Sequence, residues 1–137
     1  MNDKLTIGKF QFESRLLMGT GKFSDRETMM KAINASRAQI VTVAVRRFNP
    51  ENTAEDLLSP ILKNTGIHIM PNTSGARTAG EAVRIALAAR ELTDCSLLKL
   101  EIHPNPHHLM PDPIETFKAA GQLVKEGFTV LPYMPIS

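Results

Sequence analysis

The sequence predicts an α/β protein built on a parallel (β/α)8 barrel of the TIM type, and three observations point there. Apolar runs begin near residues 16, 40, 68, 97 and 129, separated by 24 to 32 residues, which is the period of a βα unit. Helical patterns with recognisable starts lie between them, so strands alternate with helices and pair in parallel under helical cover. No G-x-G-x-x-G or Walker A loop is present, which lowers the nucleotide-binding open sheet against the barrel. A complete barrel needs about 250 residues, and the chain has 137. The expectation is therefore a single domain, 1–137, holding an N-terminal hairpin, about the first four βα units and a fifth strand, with the later strands absent.

Each element has a local reason. Leu5-Thr6-Ile7 and Phe10-Gln11-Phe12 flank Gly8-Lys9, an alternation around a two-residue Gly turn that reads as a hairpin. Leu16 to Gly21 reads as a strand ending in glycines. Ser24 with Glu27 makes a capping box that opens a helix through Met29, Met30 and Ile33. Ile40 to Val45 is β-branched throughout most of its length, as in a strand covered on both faces. A helix follows over Ala54 to Leu62, kinked or shortened by Pro60. His68-Ile69-Met70 is a short strand closing in Asn72-Thr73-Ser74-Gly75. Thr78 with Glu81 forms a second capping box, ahead of an apolar face of Ala82, Val83, Ala86, Leu87 and Ala89. Leu97 to Ile102 is the fourth strand. Asp112-Pro113-Ile114-Glu115 supplies an N-cap, a first-position proline and an acidic third residue; that helix stops at Gly127. Thr129-Val130-Leu131 begins the fifth strand.

Composition narrows the function. Hydrophobic residues make up 42% of the chain, enough for a core. Lys and Arg total 16 against 14 acidic residues, interspersed, for a net charge of +2. No basic stripe exists, and with six Phe, one Tyr and no Trp there is no stacking platform, so nucleic acid is not an expected partner. Cys95 is the single cysteine, which leaves no intrachain disulfide and no Cys-based zinc site. The N-terminus has no signal-peptide run, and no stretch approaches the roughly 18 apolar residues of a membrane span. A cytoplasmic protein without membrane attachment is expected.

The chemistry concentrates on the fourth strand. Side chains alternate faces, so Leu97, Lys99, Glu101 and His103 share one side and Leu98, Leu100 and Ile102 the other. The wholly apolar side should meet the helices, which turns Lys99 into the barrel, about 7 Å along the strand from Glu101. Both sit toward the C-terminal end, where barrel enzymes keep their active sites. A charge facing inward there is costly unless paired or functional. Two readings follow: a catalytic pair, or a structural pair whose charges neutralise one another. In the first, Lys99 is an amine nucleophile that forms a Schiff base with a carbonyl substrate. The amine must be neutral, and at an unperturbed pKa only about one lysine in a few thousand is neutral at pH 7. Desolvation would raise that fraction, while an ionised Glu101 would lower it. Glu101 suits the role of acid/base on carbons next to the imine.

Five segments carry a family resemblance: Leu17 to Phe23 (LMGTGKF), Pro71 to Ala79 (PNTSGARTA), Leu98 to Pro104 (LKLEIHP), Leu109 to Lys118 (LMPDPIETFK) and Gly127 to Tyr133 (GFTVLPY). In this order they resemble bacterial thiazole synthase of thiamine biosynthesis, from about Leu5 to Tyr133. The resemblance implies a (β/α)8 enzyme that condenses 1-deoxy-D-xylulose 5-phosphate with dehydroglycine and a sulfur delivered as the thiocarboxylate of a sulfur-carrier protein. The family's imine-forming lysine falls on Lys99 and a proton-transferring glutamate on Glu101. No cofactor is implied. Of the family's two dehydroglycine suppliers, Glu101-Ile102-His103-Pro104 favours the tyrosine lyase over the glycine oxidase. The later strands, with the family's phosphate loops and second carboxylate, have no counterpart here, so the 137 residues are expected to be inactive alone.

Other residues have two readings each. Alternation with Thr42 and Ala44 turns Arg46 inward, to contact an anionic substrate or to pair with Glu101. Asn72 ends the third strand, within reach of the pocket, yet turn chemistry explains an Asn there equally well. His103, His107 and His108 invite a metal, but three prolines break the stretch, and solvated loop histidines are expected in place of a metal site. Gly19-Thr20-Gly21 resembles a phosphate loop but reads better as a tight strand-to-helix turn. Two other functional classes compete with the synthase. One is a non-catalytic half-barrel that self-associates through its open strand edges as a homo-oligomer. The other is a Schiff-base, aldolase-like barrel acting on another carbonyl.

Overall fold

The computed structural model describes residues 3–21, 23–45, 58–63, 66–105, 107–108 and 110–135. Its elements run β1 (Leu5–Ile7), β2 (Phe10–Phe12), β3 (Leu17–Gly19), α1 (Arg26–Ser36), β4 (Ile40–Ala44), α2 (Leu58–Leu62), β5 (His68–Asn72), α3 (Ala79–Thr93), β6 (Leu97–Leu100), α4 (Pro113–Lys125) and β7 (Thr129–Pro132). Strands β1 and β2 form an antiparallel hairpin, and β3-β4-β5-β6-β7 form a parallel sheet in chain order. Every sheet strand pairs with the strand before it, so all the crossovers run the same way. That singly wound order is the order of a (β/α)8 barrel and lacks the reversal of a doubly wound sheet.

Alternation along the strands sorts side chains into two layers. On the helical side, Met18, Val41, Val43 and Ile69 pack with Met29, Ile33 and Ile61. Leu98, Leu100 and Ile102 pack with Ala82, Val83 and Ala86 of α3 and with Ala119 and Leu123 of α4. On the inner side, Ile40, Met70 and Leu97 meet Phe12 of the hairpin, all within 2% of complete burial. The hairpin thus covers the N-terminal end of the inner face. Gly8 turns it with φ +56°, and a Cβ there would meet Thr129 Cγ2 at 2.8 Å.

The helix ends follow their local chemistry, with one change. Helix α1 is capped by Asp25, whose carboxylate accepts Thr28 N at 2.7 Å, and not by the expected Ser24–Glu27 box. The Ser24 hydroxyl instead donates to Asp25 Oδ2. Hydrogen bonds from the Thr28 backbone and side chain hold the Asp25 carboxyl below its usual range. At α3, Thr78 Oγ1 accepts Glu81 N, and Glu81 Oε2 accepts Arg77 N. Asp112 Oδ1 accepts Ile114 N and Glu115 N at the start of α4, as the sequence indicates. Gly127, at φ +94°, closes α4 while Phe128 N reaches back to Leu123 O, which is a Schellman ending. Of the helix expected over Ala54 to Leu62, residues 54–57 lie outside the described ones; Leu58–Leu62 is helical with Pro60 inside it.

Strand β5 runs two residues further than its sequence suggested, through Pro71 and Asn72. His68 N donates to Gln39 O and Thr73 N to Lys99 O, so the odd residues of β5 turn their backbone toward β6. Pro71 therefore withholds a donor from that ladder, where Asn72↔Lys99 is the one registered pair. Strand β6 ends at Leu100, before the expected Ile102, and a side chain takes over there.

Candidate functional site

The inner face changes character along its length. Above the apolar floor, Ala44, Asn72, Lys99 and Leu131 lie side by side across β4, β5, β6 and β7. Lys99 Nζ sits 3.0 Å from Glu101 Oε1, so the two inward side chains do meet. The Lys99 side chain is 38% exposed and that of Glu101 14%. Among the described residues the amine is partly exposed, and an ion pair with Glu101 holds it.

Glu101 is fixed from two directions. Its own strand has ended, so its N–H and C=O have no ladder partner, and the Thr73 hydroxyl serves both. Thr73 Oγ1 accepts Glu101 N and donates to Glu101 O, each at 2.8 Å. Thr73 is fully buried and its own N–H donates to Lys99 O. On the carboxylate, Oε2 lies 3.4 Å from His103 Nε2. His103 is 8% exposed, held by its N–H on Ala76 O, with its ring 5.6 Å from that of Tyr133. This overturns the reading of all three histidines as solvated: His107 and His108 are exposed, His103 is buried. Among the described residues, no group of three or more His, Cys, Asp and Glu is arranged to hold a metal ion.

Of the other sequence candidates, Asn72 stands beside Lys99, but its amide is engaged. Oδ1 accepts Ser74 N at 3.2 Å, the turn chemistry anticipated, and Nδ2 donates to Thr42 Oγ1 at 3.3 Å. Arg46 lies outside the described residues. Gly19 is extended in β3, where a Cβ would find ordinary contact at 3.8 Å from Thr42 Cγ2. Sequence reasoning missed Thr73, which read as one more turn residue, and nothing in one sequence marks it. It also undervalued His103, although the alternation Lys99, Glu101, His103 already placed that residue on the inner side.

An amine, a carboxylate and an imidazole in a row can carry one proton between two groups. A proton moving from Nζ to Oε1 across the 3.0 Å contact leaves a neutral amine beside a neutral acid, which is the pair that carbonyl addition requires. The site stands at the C-terminal end of parallel strands, the catalytic end in barrel enzymes. No helix among the described residues is long and apolar enough to cross a membrane.

Comparison with known proteins agrees in family and in fold. Residues 6–136 match the family model for the thiazole biosynthesis protein ThiG. The chain is 58% identical over 133 residues to thiazole synthase of Chlorobium limicola, covering 97% of this chain and 51% of that protein. It is 54% identical over 129 residues to thiazole synthase of Aeromonas salmonicida, covering 94% and 50%. In the crystal structure of the Amycolatopsis orientalis BexX/CysO complex, one chain superposes with a TM-score of 0.74 at 28% identity, covering 95% of this chain and 53% of that one. The chain spans about half the length of the curated relatives it matches. It belongs to the ThiG thiazole biosynthesis family.

Proposed function

We propose that the protein carrying this chain is a thiazole synthase, a sulfur-transferring enzyme of thiamine biosynthesis that works through a Schiff base on Lys99. The observation that carries this reading is the Lys99 Nζ–Glu101 Oε1 contact at 3.0 Å on the inner face, at the C-terminal end of β6. Lys99 gives a proton to Glu101, and the neutral amine attacks the ketone carbon of 1-deoxy-D-xylulose 5-phosphate. The protonated carboxyl returns its proton to the resulting hydroxyl, which leaves as water as the C=N bond forms. Glu101, ionised again, then accepts a proton from a carbon next to the imine. Dehydroglycine supplies the ring nitrogen and the thiocarboxylate of a sulfur-carrier protein the sulfur, with a tyrosine lyase as the dehydroglycine source. That one solved relative occurs in a complex with CysO supports a protein partner. In this reading 1–137 acts as one domain of a cytoplasmic protein, and Arg46 and Asn72 contact substrate.

The test is to incubate the complete protein with 1-deoxy-D-xylulose 5-phosphate and borohydride, then map the product by mass spectrometry. Hydride reduces the imine carbon and leaves a stable secondary amine. An adduct on Lys99 is expected; an adduct confined to another lysine, or none, sinks the mechanism.

Self-association has its own support. Ile114, Phe117 and Val124 of α4 are 60 to 70% exposed, and Ile114, Phe117 and Val124 recur at helical spacing along one stripe. A homo-oligomer covering that stripe should dissociate in Phe117→Glu, as read by sedimentation.

A further inference from the structure

We infer that His103 is a positioning residue that decides which oxygen of Glu101 does the proton transfer. The inference rests on the Lys99 reading above and goes beyond it. Glu101 presents one oxygen to each neighbour, Oε1 to Lys99 at 3.0 Å and Oε2 to His103 Nε2 at 3.4 Å. A carboxylate free to rotate about its last bond would exchange these oxygens and sweep the proton away from the amine. An N–H held on Oε2 stops that rotation. The surroundings of the other ring nitrogen decide whether His103 offers an N–H there.

His103 Nδ1 is buried and has no hydrogen-bond partner among the described residues. A neutral imidazole has one N–H and one lone pair. Burying an orphaned N–H forfeits a strong donor, so the tautomer that suits this site carries its hydrogen on Nε2 and leaves the lone pair on Nδ1. His103 is therefore a donor to Oε2 through Nε2. The ring has little freedom to turn away: its backbone N–H is bound to Ala76 O, Ile102 O accepts Asp112 N, and the Tyr133 ring lies 5.6 Å off. Its side chain is 9% exposed, so water competes weakly for the donor.

The consequence is a division of labour on one carboxylate. Oε2 is spent on orientation, and Oε1 alone exchanges protons with Lys99 and with the substrate carbon. The replacement that keeps a donor at the position of Nε2 should preserve this, and one that shortens it should not. Glutamine places its amide nitrogen near the imidazole Nε2; asparagine reaches only as far as Nδ1.

The experiment measures turnover, KM for the ketose phosphate and end-point borohydride trapping on Lys99 in the complete protein. In His103→Asn, kcat should fall about tenfold or more, as misplacement of a catalytic group by an ångström does, with KM and the trapped adduct unchanged. His103→Gln should recover kcat to within about threefold of the unaltered protein, a residual loss small beside that of a misplaced group. If His103→Asn does not fold, His103→Phe fills the space beside Tyr133 without a donor and carries the same expectation. Equal kcat in the Gln and Asn (or Phe) variants overturns the inference, as does loss of the adduct itself in the donor-free variant, since the lysine and not the carboxylate would then depend on the histidine. Absence of an adduct in the unaltered protein is a different failure: it removes the Schiff-base reading and the inference with it.

Discussion

The two ends of the inner sheet face are made from the same strands and have opposite characters. At the N-terminal end, Ile40, Met70 and Leu97 close against Phe12 with almost no exposed surface. At the C-terminal end, the next residues on the same face are Thr42, Asn72 and Lys99, half-buried and polar, followed by Glu101 and His103. A step of two residues along β6, from Leu97 to Lys99, separates the dry floor from the amine paired with Glu101. One end supplies rigidity by burial, so the other can hold ionisable groups that would be costly in a core. This contrast predicts that damage to each end will be read in a different experiment.

The largest effect should come from the polar end. Lys99→Ala is expected to abolish the borohydride adduct and lower turnover by about a thousandfold or more, as loss of a covalent nucleophile does, while the thermal midpoint stays near that of the parent. A large loss of stability in that variant would break the comparison, because the pair would then be structural. At the floor, Leu97→Ala removes a fully buried side chain and should cost about 2 to 5 kcal/mol in chemical denaturation, with the adduct still forming in the folded fraction. Thr73→Val joins the two ends. It leaves the Glu101 N–H and C=O without partners, for a loss of about 2 kcal/mol, and Thr73→Ser should restore most of it. Gly8→Ala forces an L-residue to φ +56° against Thr129, for about 1 to 2 kcal/mol from the backbone alone, measured by denaturation midpoint.

The smallest effect is a pH dependence at the floor. Burial is the main cause that pushes the Cys95 thiol above its ordinary value of 9.0. A raised folded pKa means the unfolded chain ionises first, so this contribution to stability is complete below about pH 9 and is lost as pH rises through the folded value. Cys95→Ala should flatten the stability profile above pH 9. A profile with the same slope in both proteins would show that the thiol is not held in the floor.

Much of this was legible in the order of residues. Two-residue alternation placed Leu98, Leu100 and Ile102 against the helices and Lys99 with Glu101 on the inner face, because strand geometry leaves no third direction. Asp112-Pro113 and Gly127 marked the ends of α4, since caps are local chemistry. The α1 cap is ambiguous for the same local reason: Ser24 and Asp25 are both good caps, and the adjacent Asp25 wins by accepting from Thr28 backbone and hydroxyl together. The extent of β5 and β6 was less legible, because strand ends depend on what the neighbouring strand can donate and Pro71 donates nothing.

By itself, then, the sequence determined the alternation of strands and helices, the faces of each strand and the lysine that carries the proposed chemistry. These follow from periodicity and from side-chain type, which neighbours in the chain express without help. Only the tertiary structure decided that the Thr73 hydroxyl replaces the missing ladder at Glu101, that His103 leaves the loop histidines to sit on the carboxylate, and that the hairpin covers the lower end of the inner face. Each of those joins residues from different elements, and the distances that create them exist only once the strands are in register.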